Sequence, residues 1–258
     1  MNQPSADPSR FRQSVNTTAS EVNYRLEMNE YIQHSPGTSV EKMENFAKFV
    51  PRQTLARFLA LYEIFKKACN IQGDVIECGV NWGAGLMSFA QFSAALEPVN
   101  LQRRIIGFDT FAGFPGISSV DEGVTPTTEM RVGGLAVDAY DDLQRSITLF
   151  DSNRFIGHIP KVLLVKGDAT QTIPVFLKEN THTVVSLLHL DFDLFEPTKV
   201  AIENFLPRMP KGAVIVFDEL NNRTWPGETL AVLQTIGLRG LRIERFPFEP
   251  HISYAVLD

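Results

Sequence analysis

Asp74-Val75-Ile76-Glu77-Cys78-Gly79-Val80-Asn81-Trp82-Gly83-Ala84-Gly85 decides how the chain is read. Val75–Cys78 is a short apolar run bounded by turn residues, which predicts a buried strand. Gly79, Gly83 and Gly85 let the backbone turn sharply and lie close to a ligand. Ala84–Leu96 predicts a helix, and its N-terminus offers unpaired N–H groups. No Gly-Lys-Ser/Thr follows, so the loop is not a Walker phosphate cradle. Alone it does not decide for a ligand, because such turns also serve packing.

Working outward, strands and helices alternate. Further strands are predicted at Arg104–Phe108, Val162–Val165, Val184–Leu190 and Ala213–Phe217. Helices are predicted at Ala139–Phe150, Thr172–Lys178, Thr198–Leu206 and Gly227–Ile236. Alternation of this kind implies βαβ units, a mostly parallel sheet and helices on both faces. Leu241–Phe246 and Ile252–Leu257 follow with no helix between them, which predicts an antiparallel edge hairpin. Seven strands are expected in all. Ahead of the sheet, helical patterns run over Glu21–Gln33 and Pro51–Cys69. The expected organisation is a flexible tail over 1–20, a helical extension over 21–70 and an α/β domain over 71–258. The long irregular stretch 110–137 is read as a lid or binding loop.

Composition narrows the classes. The chain has 258 residues, enough for one large domain without staples. Two cysteines exclude a disulfide framework and any multi-cysteine zinc or iron–sulfur site. A net charge of −6 with no basic block argues against nucleic acid or an anionic membrane as partner. No apolar run reaches the roughly 20 residues that span a bilayer, and Met1–Arg12 is polar, unlike a signal peptide. A cytoplasmic protein is expected. The five histidines show no ligand spacing, and His189 is read first as structural.

Ligands of open α/β sheets sit beyond the carboxyl ends of the strands. The second predicted strand ends at Asp109, where a carboxylate suits ribose hydroxyls. The third closes in Gly167-Asp168-Ala169, which suits an adenine edge. The fourth ends in Asp191-Phe192-Asp193, two carboxylates at period-two spacing, and the fifth in Asp218-Glu219. If those two strands are neighbours, four carboxylates crowd one corner. Two bare charges 4 Å apart repel by about 4 kcal/mol at an effective dielectric near 20. Such a corner calls for a cation, a shared proton or separation, and oxygen donors favour Mg²⁺ or Ca²⁺.

Glu77-x-Gly79-x-Asn81-x-Gly83-x-Gly85 resembles the glycine motif of class I S-adenosylmethionine (SAM) methyltransferases, with Asn81 where a central glycine is usual. Ile106–Pro115, Lys166–Pro174 and Leu190–Glu196 resemble the macrocin O-methyltransferase (TylF/MycF) family, and the likeness runs over about 43–258. It implies a Rossmann-like class I fold and SAM- and Mg²⁺-dependent O-methylation of a deoxysugar; Mn²⁺ accepts the same oxygen donors. A narrower likeness is to TDP-rhamnose 3-O-methyltransferases of enediyne antibiotic pathways. The resemblance implies a SAM pocket at Glu77, Cys78, Gly79, Gly83, Gly85, Asp109, Thr110, Phe111, Asp168, Ala169 and Asp191. It implies metal ligands Asp191, Asp218 and Glu219, with Glu219 where the family usually has Asp, and Asp193 as general base. A sugar or nucleotide-sugar substrate and a homo-oligomer are expected with it.

Three other readings stand beside this one. Catechol- and caffeoyl-CoA-type O-methyltransferases share the loop and the carboxylates, but they place a lysine where this chain has Leu194. Tyr62-x-x-x-Lys66 has short-chain dehydrogenase spacing, but it precedes the glycine loop instead of following it. A non-catalytic SAM- or nucleotide-binding module would not need the carboxylates at 191, 193, 218 and 219.

Overall fold

A strand buried on both faces reads as a nearly unbroken apolar run, and β1 (Asp74–Cys78) is buried along its whole length. It is the centre of a seven-stranded sheet in a computed structural model that describes residues 17–258. The sheet order is β3-β2-β1-β4-β5-β7-β6. β2 (Ile105–Asp109), β3 (Val162–Lys166), β4 (Val185–Leu190) and β5 (Val214–Phe217) run parallel to β1. β7 (Ser253–Val256) pairs antiparallel with both β5 and β6 (Glu244–Arg245). The predicted class and the antiparallel edge are both present.

The edge is shorter than its apolar pattern predicts. β6 has only two residues, since Pro247 and Pro250 follow and proline has no N–H for a ladder. Side chains reinforce this short pairing. Tyr254 Oη donates to Glu244 at 2.8 Å, and Phe246 stacks on Tyr254 at 5.3 Å.

Two apolar layers flank the sheet. On one side α3 (Arg52–Ala68), α4 (Ala84–Leu96) and α5 (Tyr140–Ser152) contribute Leu61, Phe65, Phe89 and Ile147. On the other, α6 (Ala169–Glu179), α7 (Phe195–Phe205) and α8 (Gly227–Thr235) contribute Ile173, Phe176, Phe205 and Val232. Phe89, Phe108 and Phe205 have no exposed surface, and truncating a phenylalanine of this kind to alanine costs about 3–5 kcal/mol.

The chain divides into two compact units, Met1–Leu55 and Ala56–Asp258. The division falls inside α3, so its apolar face at Ala60, Leu61, Ile64, Phe65 and Ala68 is part of the sheet's core. The expected boundary at residue 70 thus lies 15 residues beyond the division. In the first unit, α1 (Ala19–His34) and α2 (Ser39–Glu44) each begin with a capping box, Thr18 with Glu21 and Thr38 with Glu41. Such caps contribute about 1 kcal/mol each. Of the expected tail over 1–20, residues 1–16 lie outside the described residues, and Ala19 already opens α1. No helix among the described residues is long and apolar enough to cross a membrane.

Candidate active site

The chain winds from β1 outward to β3, returns to β4 and continues to β5. The crevice between β1 and β4 is therefore the topological switch point, where open α/β sheets hold their ligands. The glycine loop is built to close on it. Gly79 has φ +98°, and a Cβ there would lie 2.0 Å from the carbonyl oxygen of Asp191. The Asp191 N–H donates to the Cys78 carbonyl at 2.8 Å, which ties the ends of the two strands. Asn81 takes the left-handed conformation, φ +52°, that a central glycine would take, and its Oδ1 accepts the Trp82 N–H at 3.0 Å. Asparagine tolerates this region better than other side chains. Gly83, φ +88°, precedes α4. A Cβ on Gly85 would come within 1.9 Å of Glu77 Oε1, so the absence of a side chain at 85 makes the space for that carboxylate.

The carboxylate expected to meet a ribose is engaged with the loop itself. Asp109 Oδ2 accepts the N–H groups of Val80 and Asn81 at 2.7 and 2.8 Å, and Oδ1 accepts that of Phe111 at 2.6 Å. Thr110 Oγ1 donates to the Gly113 carbonyl at 2.6 Å and accepts the Ala112 N–H at 3.1 Å. The Phe111 side chain is buried against Tyr140, ring centroids 5.2 Å apart. Cys78 is buried in the core, and burial pushes its thiol pKa well up. Cys78 and Phe111 thus present backbone, not side chains, to the crevice. Asp168 caps α6, accepting the Thr170 N–H at 2.9 Å, and Ala169 is buried beneath it. Beside this cap lies a cavity of about 450 Å³ lined by Ile117, Asp121, Asp168, Leu194 and Pro197.

Segment 110–137 is tied down rather than draped. Phe114 and Gly134 exchange backbone contacts with their neighbours, Phe114 N–H to Gly134 O at 3.1 Å and Gly133 N–H to Phe114 O at 2.9 Å. Asp121 Oδ1 accepts the Phe195 N–H at 2.6 Å, which pins the segment to the start of α7. Phe114 packs edge-on against Trp225 at 5.6 Å, with Leu194 in the same cluster.

The carboxylate corner forms because β4 and β5 are neighbours, with the Asp218 N–H donating to Leu190 O at 3.1 Å. One ligand atom from each of His189, Asp191 and Asp218 lies within 4.8 Å of the others. Arg57, on α3, bridges the two aspartates, Nη1 to Asp218 Oδ1 at 2.6 Å and Nη2 to Asp191 Oδ2 at 3.0 Å. Burial alone would disfavour the Arg57 charge, but Asp218 and Asp191 raise its pKa further. Burial likewise pushes Asp218 up, yet Arg57 and then His189 hold its carboxyl below the usual value. Glu219 goes the other way. Burial, then the charges of Asp193, Asp218 and Asp191, push its pKa up to about 11. Its N–H donates to Glu228 Oε1 at 2.9 Å, and Asn222 Nδ2 donates to its side chain. Asp193 has φ +64°, a conformation that costs a non-glycine residue about 1 kcal/mol or more.

His189 Nδ1 lies 3.2 Å from Glu77 Oε1, and Nε2 lies 4.0 Å from Asp218 with no hydrogen-bond partner. Glu77 is 2% exposed, and burial raises its pKa against the lowering effect of His189. An imidazole backed by a carboxylate on its far nitrogen is the usual setting of a ligating histidine. The two carboxylates of this donor set fit Mg²⁺ or Mn²⁺, whereas the unpartnered imidazole nitrogen is a poor donor to Mg²⁺. The corner already accommodates a cation in the Arg57 guanidinium. Glu219 stands beside the trio, not within it. Motif reading does not pick out Arg57 or His189. For His189 the signal is its period-two spacing with Asp191 and Asp193. For Arg57 there is none, since its partners lie 134 and 161 residues away.

A family model described as macrocin O-methyltransferase (TylF) matches residues 41–232. The chain belongs to that family. The TylF-family resemblance read from the strand ends is thereby borne out, and with it a SAM-dependent O-methyltransferase family on a class I fold. Among solved structures, the calicheamicin methyltransferase CalS11 is 32% identical, with 98% of this chain and 99% of that one covered and a TM-score of 0.90. A second CalS11 structure, described as the apo TDP-rhamnose 3′-O-methyltransferase of calicheamicin biosynthesis, is 30% identical. It covers 93% of this chain and 96% of that one, with a TM-score of 0.81. A Streptomyces olivaceus 4′-O-methyltransferase of a dimethoxy-rhamnosyl tetracenomycin is 29% identical over 59% of this chain. The match spans about half, 54%, of that protein's length. This TylF-family chain also has the fold of the O-methyltransferase NovP, with a TM-score of 0.60 at 18% identity, 79% of this chain and 80% of that one being covered.

Proposed function

We propose that this protein transfers a methyl group from SAM to the 3-hydroxyl of TDP-rhamnose, with a divalent cation bound, in natural-product biosynthesis. The observation that carries the reading is the likeness to CalS11 along 98% of the chain. The carboxylate corner supports it, because an aliphatic hydroxyl is a far weaker acid than a phenol and needs both charge stabilisation and a base. Leu194, where phenol-methylating relatives would place lysine, agrees with a sugar acceptor.

In this reading Asp191, Asp218 and Glu219 hold the cation, with His189 at their side. When bound, SAM supplies an electrophilic methyl, and Mg²⁺ or Mn²⁺ supplies stabilisation of the charge developing on the sugar oxygen. Asp193 accepts the hydroxyl proton on a carboxylate oxygen while the new O–C bond forms and the methyl–sulfur bond breaks. The products are the methyl ether, S-adenosylhomocysteine and protonated Asp193. The glycine loop, stapled by Asp109, holds the nucleoside end of SAM, and the cavity of about 450 Å³ beside Asp168 has room for a purine. Segment 110–137, pinned by Asp121, excludes water and orients the acceptor.

A second reading is a finished rhamnosyl glycoside as acceptor. The Streptomyces olivaceus relative favours it, since its name describes methylation of a rhamnosyl tetracenomycin. The test is a panel of TDP-rhamnose, a rhamnosyl glycoside and a catechol, each with SAM, read by mass spectrometry and by NMR of the methylated position. One methyl on O3 of TDP-rhamnose supports the first reading. Methylation of the glycoside alone moves the assignment to the second, and methylation of the catechol alone overturns both.

A further inference from the structure

A guanidinium is already seated where the proposed cation would bind. Arg57 Nη1 and Nη2 each take one aspartate, Asp218 Oδ1 at 2.6 Å and Asp191 Oδ2 at 3.0 Å. One arginine thus donates one charge-assisted hydrogen bond to a carboxylate from each of two neighbouring strand ends, and offsets half of their combined charge. The oxygen it occupies on Asp218 is also the one nearest His189 Nε2, at 4.0 Å. A cation held by Asp191 and Asp218 would draw on the same two carboxylates that Arg57 engages. The Arg57 side chain is 32% exposed, against 17% and 9% for the two aspartates. Arg57 is thus the most exposed side chain of the three, on a helix, whereas the two aspartates follow directly on β4 and β5.

We infer that Arg57 and the divalent cation compete for the Asp191–Asp218 pair, so that the cation binds only as Arg57 swings out. Arg57 is a positioning residue in this scheme. It holds two like charges together in the metal-free protein, keeps their geometry ready, and lowers the apparent affinity for the metal. A dication and a guanidinium between the same two carboxylates would repel each other strongly at this range, so joint occupancy is disfavoured. The inference rests on the metal-binding part of the proposed function and is independent of the acceptor.

The test is made on the full chain without SAM or acceptor, with Mn²⁺ as the probe. Mn²⁺ binding is read from the loss of the free-ion EPR signal for the native protein, Arg57→Gln and Arg57→Lys. Competition predicts at least 10-fold tighter binding by Arg57→Gln, with Arg57→Lys between the two. Equal or weaker binding by Arg57→Gln overturns the inference, as does an absence of binding by every form. Should the variants fail to fold, the native protein decides. Arginine modification by phenylglyoxal, mapped by peptide mass spectrometry, should rise at least threefold at Arg57 when Mn²⁺ is added. Unchanged or reduced modification overturns the inference. Neither readout involves methyl transfer, so a wrong acceptor leaves both results intact.

Discussion

Gly79 lies so close to Asp191 that a Cβ on it would stand 2.0 Å from the Asp191 carbonyl oxygen, at a backbone φ of +98°. The contact packs the glycine loop directly against the proposed metal corner. Gly79→Ala therefore meets both a forbidden backbone region and a clash with main chain that has no flexible end to yield. We expect a loss of at least about 2 kcal/mol, a fall in Tm of several degrees. SAM binding measured by calorimetry should fall with it. A variant with native Tm and native SAM affinity would show that this packing is not needed.

Asp109 satisfies three backbone N–H groups of the loop with one carboxylate. Hydrogen bonds to a charged acceptor of this kind contribute about 1.5–3 kcal/mol each. Asp109→Ala should loosen the loop and weaken S-adenosylhomocysteine binding at least 10-fold by calorimetry. Unchanged affinity would mean that the loop holds its shape without the staple.

Asp193 stands in the acid corner with a strained backbone, φ +64°. As the proposed base it should be separable from cofactor binding. Asp193→Asn is expected to lower kcat by about 10²- to 10⁴-fold while SAM affinity stays within a factor of about three. Near-native turnover would remove the base assignment.

Glu228 is wholly buried beneath the corner, and burial first, then Asp218, raise its pKa well above the usual value. The folded protein thus keeps a proton that the unfolded chain gives up above about pH 4.5. Glu228's contribution to stability is full below that pH and is lost as pH rises toward its folded pKa. Glu228→Gln retains the acceptor for the Glu219 N–H and removes the titration. Without divalent ions, its stability advantage over the native protein, read from melting curves, should grow from pH 5 to pH 8, reaching at least about 1 kcal/mol. Parallel melting curves across that range would show that Glu228 is ionised in the fold.

The strand ends were legible because a parallel sheet collects the carboxyl end of every strand on one edge. Asp109, Asp191 and Asp218 each follow an apolar run that is hard to read as anything but a buried strand, and Asp168 follows the edge strand β3. The helix Ala84–Leu96 has the bounds its pattern predicts. The short helix α2 lacks a long apolar face, and only Thr38-x-x-Glu41 announces it, as a capping box. The role of Asp109 was ambiguous for a physical reason, since a carboxylate that can accept ribose hydroxyls can equally accept loop N–H groups, and the loop is always present. Arg57 was hidden because nothing local distinguishes it from a solvent-facing arginine on a helix. Its meaning lies in two aspartates that only the sheet order brings to it. His189 was half visible, on one face with Asp191, but the Glu77 that backs it comes from β1.

The measurement that tests the central claim most directly is methyl transfer from SAM to TDP-rhamnose with Mg²⁺ and again with a chelator. The account predicts one methyl ether on O3 with Mg²⁺ and loss of nearly all product with the chelator, while SAM still binds. Equal product in both conditions would contradict a cation at Asp191 and Asp218, and SAM binding with no product on TDP-rhamnose would contradict the acceptor.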